Sequence, residues 1–282
     1  MSLIKTSQLL VLAKKHHYAI GAFNVANMEM IMGAVQAAEE LHSPIILQIA
    51  EGRLFYSPLH LIAPMLVEAA KKSKVQIAIN FDHGKTINLM KQALDFGFSS
   101  VMVDYSHENL ENNIFMTNEV KALADSYNAS IEAEIGVVGG SEDDSTSLQV
   151  KYSNIDDIKY FLLHANTNAL AVAIGNAHGH YAGEPHLNFD LLESISSLSN
   201  VPLVLHGGTG ISKEDFHRCI QYGIAKINIA TSSFDAIYSS IYSKQSNHQN
   251  FFEVSQAIVQ ATKENVMQHI EMFGSAGKSR GQ

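Results

Sequence analysis

The chain has 282 residues, 46% of them hydrophobic and 17% charged, enough apolar material for a large core. A net charge of −9 with scattered Lys and Arg excludes the basic footprint of a nucleic-acid binder, and a single cysteine, Cys219, excludes an intrachain disulfide. No apolar run reaches the ~20 residues of a membrane span, and the N-terminal patch, broken by Lys14, Lys15, His16 and His17, lacks a signal-peptide pattern, so a cytoplasmic protein is expected.

Strand-like and helix-like segments alternate along the chain. Strands are expected at 19–24, 44–50, 75–81, 100–104, 130–136, 169–175, 201–207 and 226–231. Most are near-continuous apolar runs, the pattern of parallel strands covered on both faces. Amphipathic stretches at 28–41, 59–72, 87–96, 108–127, 155–164, 189–198 and 213–221 fall between or after them, and 251–273 reads as a further long helix. Repeated βα units of this number predict a (β/α)8 TIM barrel with an additional C-terminal helix, one domain spanning 1–282. A doubly wound open sheet is the competitor. The connections 136–154 and 176–188 are long and polar, as active-site loops often are.

Three histidines sit just past strand ends and are each followed by glycine: His83 in FDHG, His178 in GNAHG and His206 in VLHGG. One such histidine would mean little among the 14 present, but three on neighbouring strands of a barrel would converge on one pocket. Three neutral imidazoles with an open fourth position are a common cradle for catalytic zinc. His180 lies two residues from His178, and composition does not choose between them; His107 also follows a strand and could hold a loop or a second metal.

Asp82 adjoins His83 and suits either orientation of an imidazole or proton exchange with a substrate hydroxyl. Asp104 and Glu134 close strands four and five and suit alternative ligands or outer acceptors of a metal site. Glu142 stands with Asp143 and Asp144 on a glycine-hinged loop, whose plainer reading is a solvated acidic segment. HGGTGIS and NIATSS follow strands seven and eight, where barrels build phosphate sites from backbone N–H groups, with Thr209, Thr231 and Ser232 as hydroxyl donors. Metal, phosphate cradle and carboxylates suit aldol cleavage of a phosphorylated ketone. The Schiff-base route lacks a lysine, since Lys226 opens the expected strand eight and Lys151 lies in a polar loop.

YAIGAFNV, FDHG, EAEIGVVGG, AVAIGNAHGHY, VPLVLHGGTGI, KINIAT and FGSAGK together resemble class II, metal-dependent fructose-bisphosphate and tagatose-bisphosphate aldolases over nearly the full length. The resemblance implies that His83, His178 and His206 bind catalytic Zn2+, with Asp104 and Glu134 able to take the metal when it shifts, and a second divalent or monovalent cation nearby. It implies Asp82 as proton carrier at the C4 hydroxyl and Glu142 as acid/base at C1 of a metal-stabilised enediolate. Gly179, Gly207, Gly208, Thr209, Asn228, Ile229, Ala230 and Thr231 would bind dihydroxyacetone phosphate, and Asn24 joins the substrate-binding set. A phosphorylated ketose is then the partner, glyceraldehyde 3-phosphate the second product, and a homodimer or homotetramer the expected assembly.

Several residues depart from the family pattern: Ala50 replaces a serine, Ser141 and Asp144 alter the GGEEDG loop, Tyr105 replaces a glycine, and Ser232 and Ser233 follow NIAT. None removes a metal ligand or proton carrier, but several line the pocket or its lid. Another phosphoketose, a metal-dependent sugar-phosphate epimerase and a non-catalytic partner subunit are the alternatives; the last would be expected to lose the histidines or Asp82. Imidazole ligands also suit cobalt, iron or nickel.

Overall fold

Every residue of β1 (Ile20–Asn24), β2 (Ile45–Ala50) and β3 (Ile77–Gly84) is buried, because each strand is covered on both faces. The same holds for β4 (Ser100–Val103), β5 (Ser130–Ile135), β6 (Ala169–Val172), β7 (Leu203–Leu205) and β8 (Ile224–Ile229). All pair in parallel with their sequence neighbours, and β8 returns to β1 through Ala22↔Asn228 and Phe23↔Ile229, closing an eight-stranded barrel. The structure is a computed structural model and describes residues 2–140, 152–181, 183–242, 248 and 250–279.

Helices α2 (Met28–Glu40), α3 (Leu59–Lys72), α4 (Ile87–Phe96), α5 (Leu110–Ser126), α6 (Ile155–His164), α7 (Phe189–Leu198) and α8 (Lys213–Gln221) follow β1 to β7 in order. Asn27, Asn109, Asn154, Asn188 and Ser212 each accept a backbone N–H in the first turn of the helix they open, which fixes where those helices begin. The long C-terminal helix, capped by Asn250, runs Phe251–Met272 and packs mainly on α2.

Two helices escape the sequence reading. A helix Thr6–Lys15 precedes β1, and its Leu9, Leu10 and Ala13 pack among Ala22, Ile46, Ala78, Ala171 and Val204 at the N-terminal end of the barrel. We label it α1; its basic last turn, Lys14 and Lys15, is what interrupts the apolar patch in the sequence. The other helix, α9, spans Thr231–Tyr242 and makes the C-terminal helix α10. Strand eight accordingly begins and ends two residues before the expected 226–231. Gly223, at φ +92°, turns the chain into β8 early, and the polar Thr231–Ser233 run starts α9 instead of extending the strand.

Candidate active site

Successive residues of a strand point to opposite faces, so Asp82 and His83 should not both reach the barrel mouth. They do because β3 slips register against β4 between Phe81 and Gly84, and His83 adopts φ +47°. Its imidazole meets those of His178 and His206, with ring centroids 5.0 Å and 4.7 Å away. One ring nitrogen from each of the three histidines falls within 4.8 Å of the others, and a second such group joins His83, Asp104 and Glu134.

Carboxylates back two of these rings. His83 Nδ1 lies 2.8 Å from Asp104 Oδ2, and His206 Nε2 lies 2.9 Å from Glu132 Oε1. Each anionic oxygen accepts a hydrogen bond from the N–H it faces, which assigns the tautomers and leaves the opposite nitrogens as lone pairs. Those lone pairs, His83 Nε2 and His206 Nδ1, point at each other across 2.9 Å. Two facing lone pairs repel unless a cation lies between them. Nitrogens on a tetrahedral zinc sit roughly 3.3 Å apart, so a divalent metal asks the rings to part by only a few tenths of an ångström. The residues fit a metal.

Electrostatics around the cluster divide the carboxyls. Burial opposes ionisation of Asp104, but the His83 contact and the Ser106 hydroxyl and amide outweigh it and hold the group well below the usual carboxylate range. Burial likewise opposes Glu132, yet the Lys226 ammonium and His206 keep it down at about 2. Glu134 goes the other way: burial, then the charge of Asp104, pushes it up to about 8, so it holds a proton at neutral pH. Burial pushes His206 down.

Asp82 has amide neighbours. Asn24 Nδ2 and Gln48 Nε2 donate to its Oδ2 at 3.0 Å and 3.1 Å, and Asn228 Nδ2 donates to Oδ1 at 3.2 Å. Gln48 also donates to Asn24 Oδ1 at 2.8 Å, which locks the donors in place. The group is fully buried among these neutral amide donors, which hold both of its oxygens in place.

Beside the histidines opens a cleft lined by Arg53, His178, Gly179, Gly207, Gly208, Thr209, Asn228, Ala230 and Thr231. Gly207 sits at φ +65°, where an added Cβ would lie 2.1 Å from Ala177 O, so only glycine lets the two strand-end loops touch. Tyr181 ties the same loops together: its hydroxyl accepts from Ala177 N and donates to Gly207 O, each at 3.0 Å. Thr209 Oγ1 accepts from Ser232 N at 3.0 Å and so joins the glycine turn to the start of α9. Glycine backbone and a helix N-terminus facing one cleft suit a phosphate.

Residues 4–278 match the family model described as class-II fructose-bisphosphate aldolase. The chain belongs to the class II aldolase family. It is a metal-dependent aldehyde-lyase of the family that acts on phosphorylated sugars. It is 38% identical over 288 residues to a 6-phospho-5-dehydro-2-deoxy-D-gluconate aldolase of Halalkalibacterium halodurans, covering 99% of each chain. Similarity to a fructose-bisphosphate aldolase of Geobacillus stearothermophilus is 36% identity over 285 residues, again 99% of each. Among solved structures, the YdjI aldolase of Escherichia coli K12 superposes with a TM-score of 0.87 at 33% identity, over 99% of this chain and all of that one.

In this aldolase the fold brings together His83, His178, His206, Asp104 and Glu134, with Asp82 beside them through Asn228. It separates His178 from His180, which lies on the surface 3.3 Å from Asp235, and leaves His107 exposed against Tyr105. Gly179, Gly207, Gly208, Thr209, Asn228, Ala230 and Thr231 line the cleft; Asn24 reaches Asp82 instead, and the side chain of Ile229 is buried in the core. Glu142, with Ser141, Asp143, Asp144 and Lys151, lies outside the described residues. Two departures from the family pattern find a structural use: Ser232 and Ser233 both bond Asn265 and pin α9 to α10.

Lys226 needs correction. It does not open strand eight at the wrong end but occupies the third position of β8, and its ammonium reaches Glu132 Oε2 at 2.8 Å. Glu132, Lys226, Gln48 and Arg53 are the residues that sequence reasoning missed. A signal existed for most of them: Gln48, Asn80, Glu132 and Lys226 each interrupt an apolar strand two residues before another strand-end position, Ala50, Asp82, Glu134 or Asn228. A two-residue spacing puts both members on the same face of the strand. Arg53, on a single 3-10 turn after β2, carried no such signal.

Proposed function

We propose that this aldolase uses zinc to cleave a ketose with phosphate next to its ketone, releasing dihydroxyacetone phosphate and an aldehyde. Fructose 1,6-bisphosphate, tagatose 1,6-bisphosphate and 6-phospho-5-dehydro-2-deoxy-D-gluconate all carry that ketone–phosphate end; the last ends in a carboxylate instead of a second phosphate. One juxtaposition carries the reading: carboxylate-backed imidazoles share a rim with a glycine-floored cleft whose Asn228 donates to Asp82.

His83, His178 and His206 would hold the ion, which when bound polarises the ketone carbonyl and stabilises the negative charge left by carbon–carbon cleavage. Asp82 takes the proton of the hydroxyl on the carbon that becomes the aldehyde. The electron pair of the breaking bond stays with the ketone half, whose terminal carbon then receives a proton, the role proposed for Glu142 on resemblance alone. Asn24, Gln48 and Asn228 keep Asp82 oriented for that transfer. Gly179, Gly207, Gly208 and Thr209 offer backbone and hydroxyl donors to the phosphate, and Arg53 adds a positive charge to the cleft. One barrel domain covering 1–282 and a homodimer or homotetramer complete the proposal, with light scattering as the check on assembly.

The test is triose-phosphate release from each of the three substrates, before and after chelation. Cleavage that chelator abolishes and zinc restores supports the proposal, and the ratio of kcat/KM values names the substrate. Cleavage that survives complete metal removal sinks it.

A further inference from the structure

Glu132 and Lys226 form an ion pair inside the barrel that the proposed chemistry does not use directly. Both side chains are shielded from solvent, at 1% and 0% exposure. A buried pair of this kind is a poor stabiliser, since desolvating two charges offsets most of their attraction and apolar residues of similar volume do as well or better. The same barrel shows that alternative at its other end, filled by Ala22, Ile46, Ala78, Ala171 and Val204. Packing alone therefore does not call for the pair.

Geometry supplies a reason. The Lys226 ammonium donates a hydrogen bond to Glu132 Oε1 at 3.1 Å and lies at ion-pair distance, 2.8 Å, from Oε2, so its charge sits against the carboxylate and opposes its turning. The same Oε1 faces His206 Nε2 at 2.9 Å. β8 and β5 thus act through the residue that follows β7, across the barrel rather than along one strand.

Resting on the metal reading above, we propose that Glu132 and Lys226 are a positioning pair for His206. Lys226 fixes the carboxylate, and the carboxylate holds the His206 proton on Nε2 and the ring plane steady. The Nδ1 lone pair then points to where His83 Nε2 points. His83 has its own orienting group in Asp104, but that group is a lone carboxylate at the rim, close to Ser106, with no cation behind it among the described residues. The His206 arm is the one braced by a charge pair.

The experiment compares the parent with Glu132→Gln and with the double variant Glu132→Gln/Lys226→Met, which removes both charges and so leaves none buried alone. Zinc affinity is measured by chelator competition on the purified proteins, and the His206 tautomer is read from 15N shifts of the metal-free forms. The expected result is a zinc dissociation constant about 10- to 100-fold weaker in both variants. A mixed His206 tautomer should accompany it, with the double variant melting within a few degrees of the parent. Zinc affinity within twofold of the parent in a folded variant overturns the proposal. So does a double variant that cannot fold, which would make the pair a structural strut. A parent that binds no zinc would instead defeat the metal reading itself.

Discussion

At the N-terminal end of the barrel, α1 pushes Leu9, Leu10 and Ala13 into a layer of small and branched apolar side chains. From mid-barrel to the C-terminal end, β2, β3, β5 and β8 carry Gln48, Asn80, Asp82, Glu132, Glu134, Lys226 and Asn228, all buried. Each fully buried leucine of the lower layer contributes about 1.5–3 kcal/mol. The upper layer does the opposite: Asn80 Oδ1, Glu134 Oε2 and Asn228 Oδ1 are buried without a hydrogen-bond partner among the described residues. Each such orphan costs on the order of 1–3 kcal/mol. One end of the barrel holds the molecule together so that the other can keep charges and lone pairs in an environment they would otherwise leave. Stability and chemistry are separated along the strand axis by little more than the length of a strand.

Substitutions at the two ends should therefore fail in different ways. The largest effect is expected from Asp82→Asn, which removes the proposed proton acceptor: kcat falls about 10²- to 10⁴-fold in a triose-phosphate release assay. Its stability drops too, by about 1–3 kcal/mol, because an amide then faces the donors of Asn24, Gln48 and Asn228. Leu10→Ala, at the plugged end, costs about 2–5 kcal/mol in denaturant unfolding and leaves kcat per folded molecule unchanged. A fall in kcat with intact folding would erase the division between the ends. Arg53→Met removes the positive charge from the cleft and raises KM for the phosphorylated substrate about tenfold with kcat within twofold, the worth of one charged hydrogen bond.

The smallest effect concerns His269, on the outer wall between Phe23 and Phe273, away from both ends. Burial lowers its pKa, and its Nδ1 bonds Asn265 O at 2.8 Å, so the folded protein keeps it neutral. An unfolded chain protonates histidine near about pH 6.5, so the unfolded state binds the extra proton first as pH falls. Stability from this residue is complete above that pH and is lost on acidification towards the lower folded value. Urea midpoints at pH 7.5 and 5.5 should differ less in His269→Phe than in the parent; an equal difference would remove His269 as a source of acid sensitivity.

Much of the barrel was legible because βα repetition is written in local patterns. Helices α3, α4, α6, α7 and α8 begin and end where amphipathic spacing places them, and six of the eight helices expected open on an Asn or Ser cap within the chain's polar turns. Helix α1 was hidden by its own lysines, which broke the apolar run although they face away from the plug it forms. Helix α9 was hidden by Thr231 and its serines, polar residues that read as a phosphate-binding turn and also start a helix.

At the site, the sequence by itself determined which residues were available: three histidines before glycines, Asp82 beside one of them, and glycine turns after strands seven and eight. Their order after successive strands of a closing barrel was enough to gather them at one mouth. Only the tertiary structure decided where each lies. It chose His178 over His180 because one imidazole turns into the mouth and the other onto the surface near Asp235. It let Asp82 and His83 share the site through a register slip and a left-handed backbone that no local pattern announces. It also moved Lys226 from a strand's edge to the core, against Glu132 and behind His206. These contacts join residues about a hundred positions apart, and partners that distant meet only when the barrel closes.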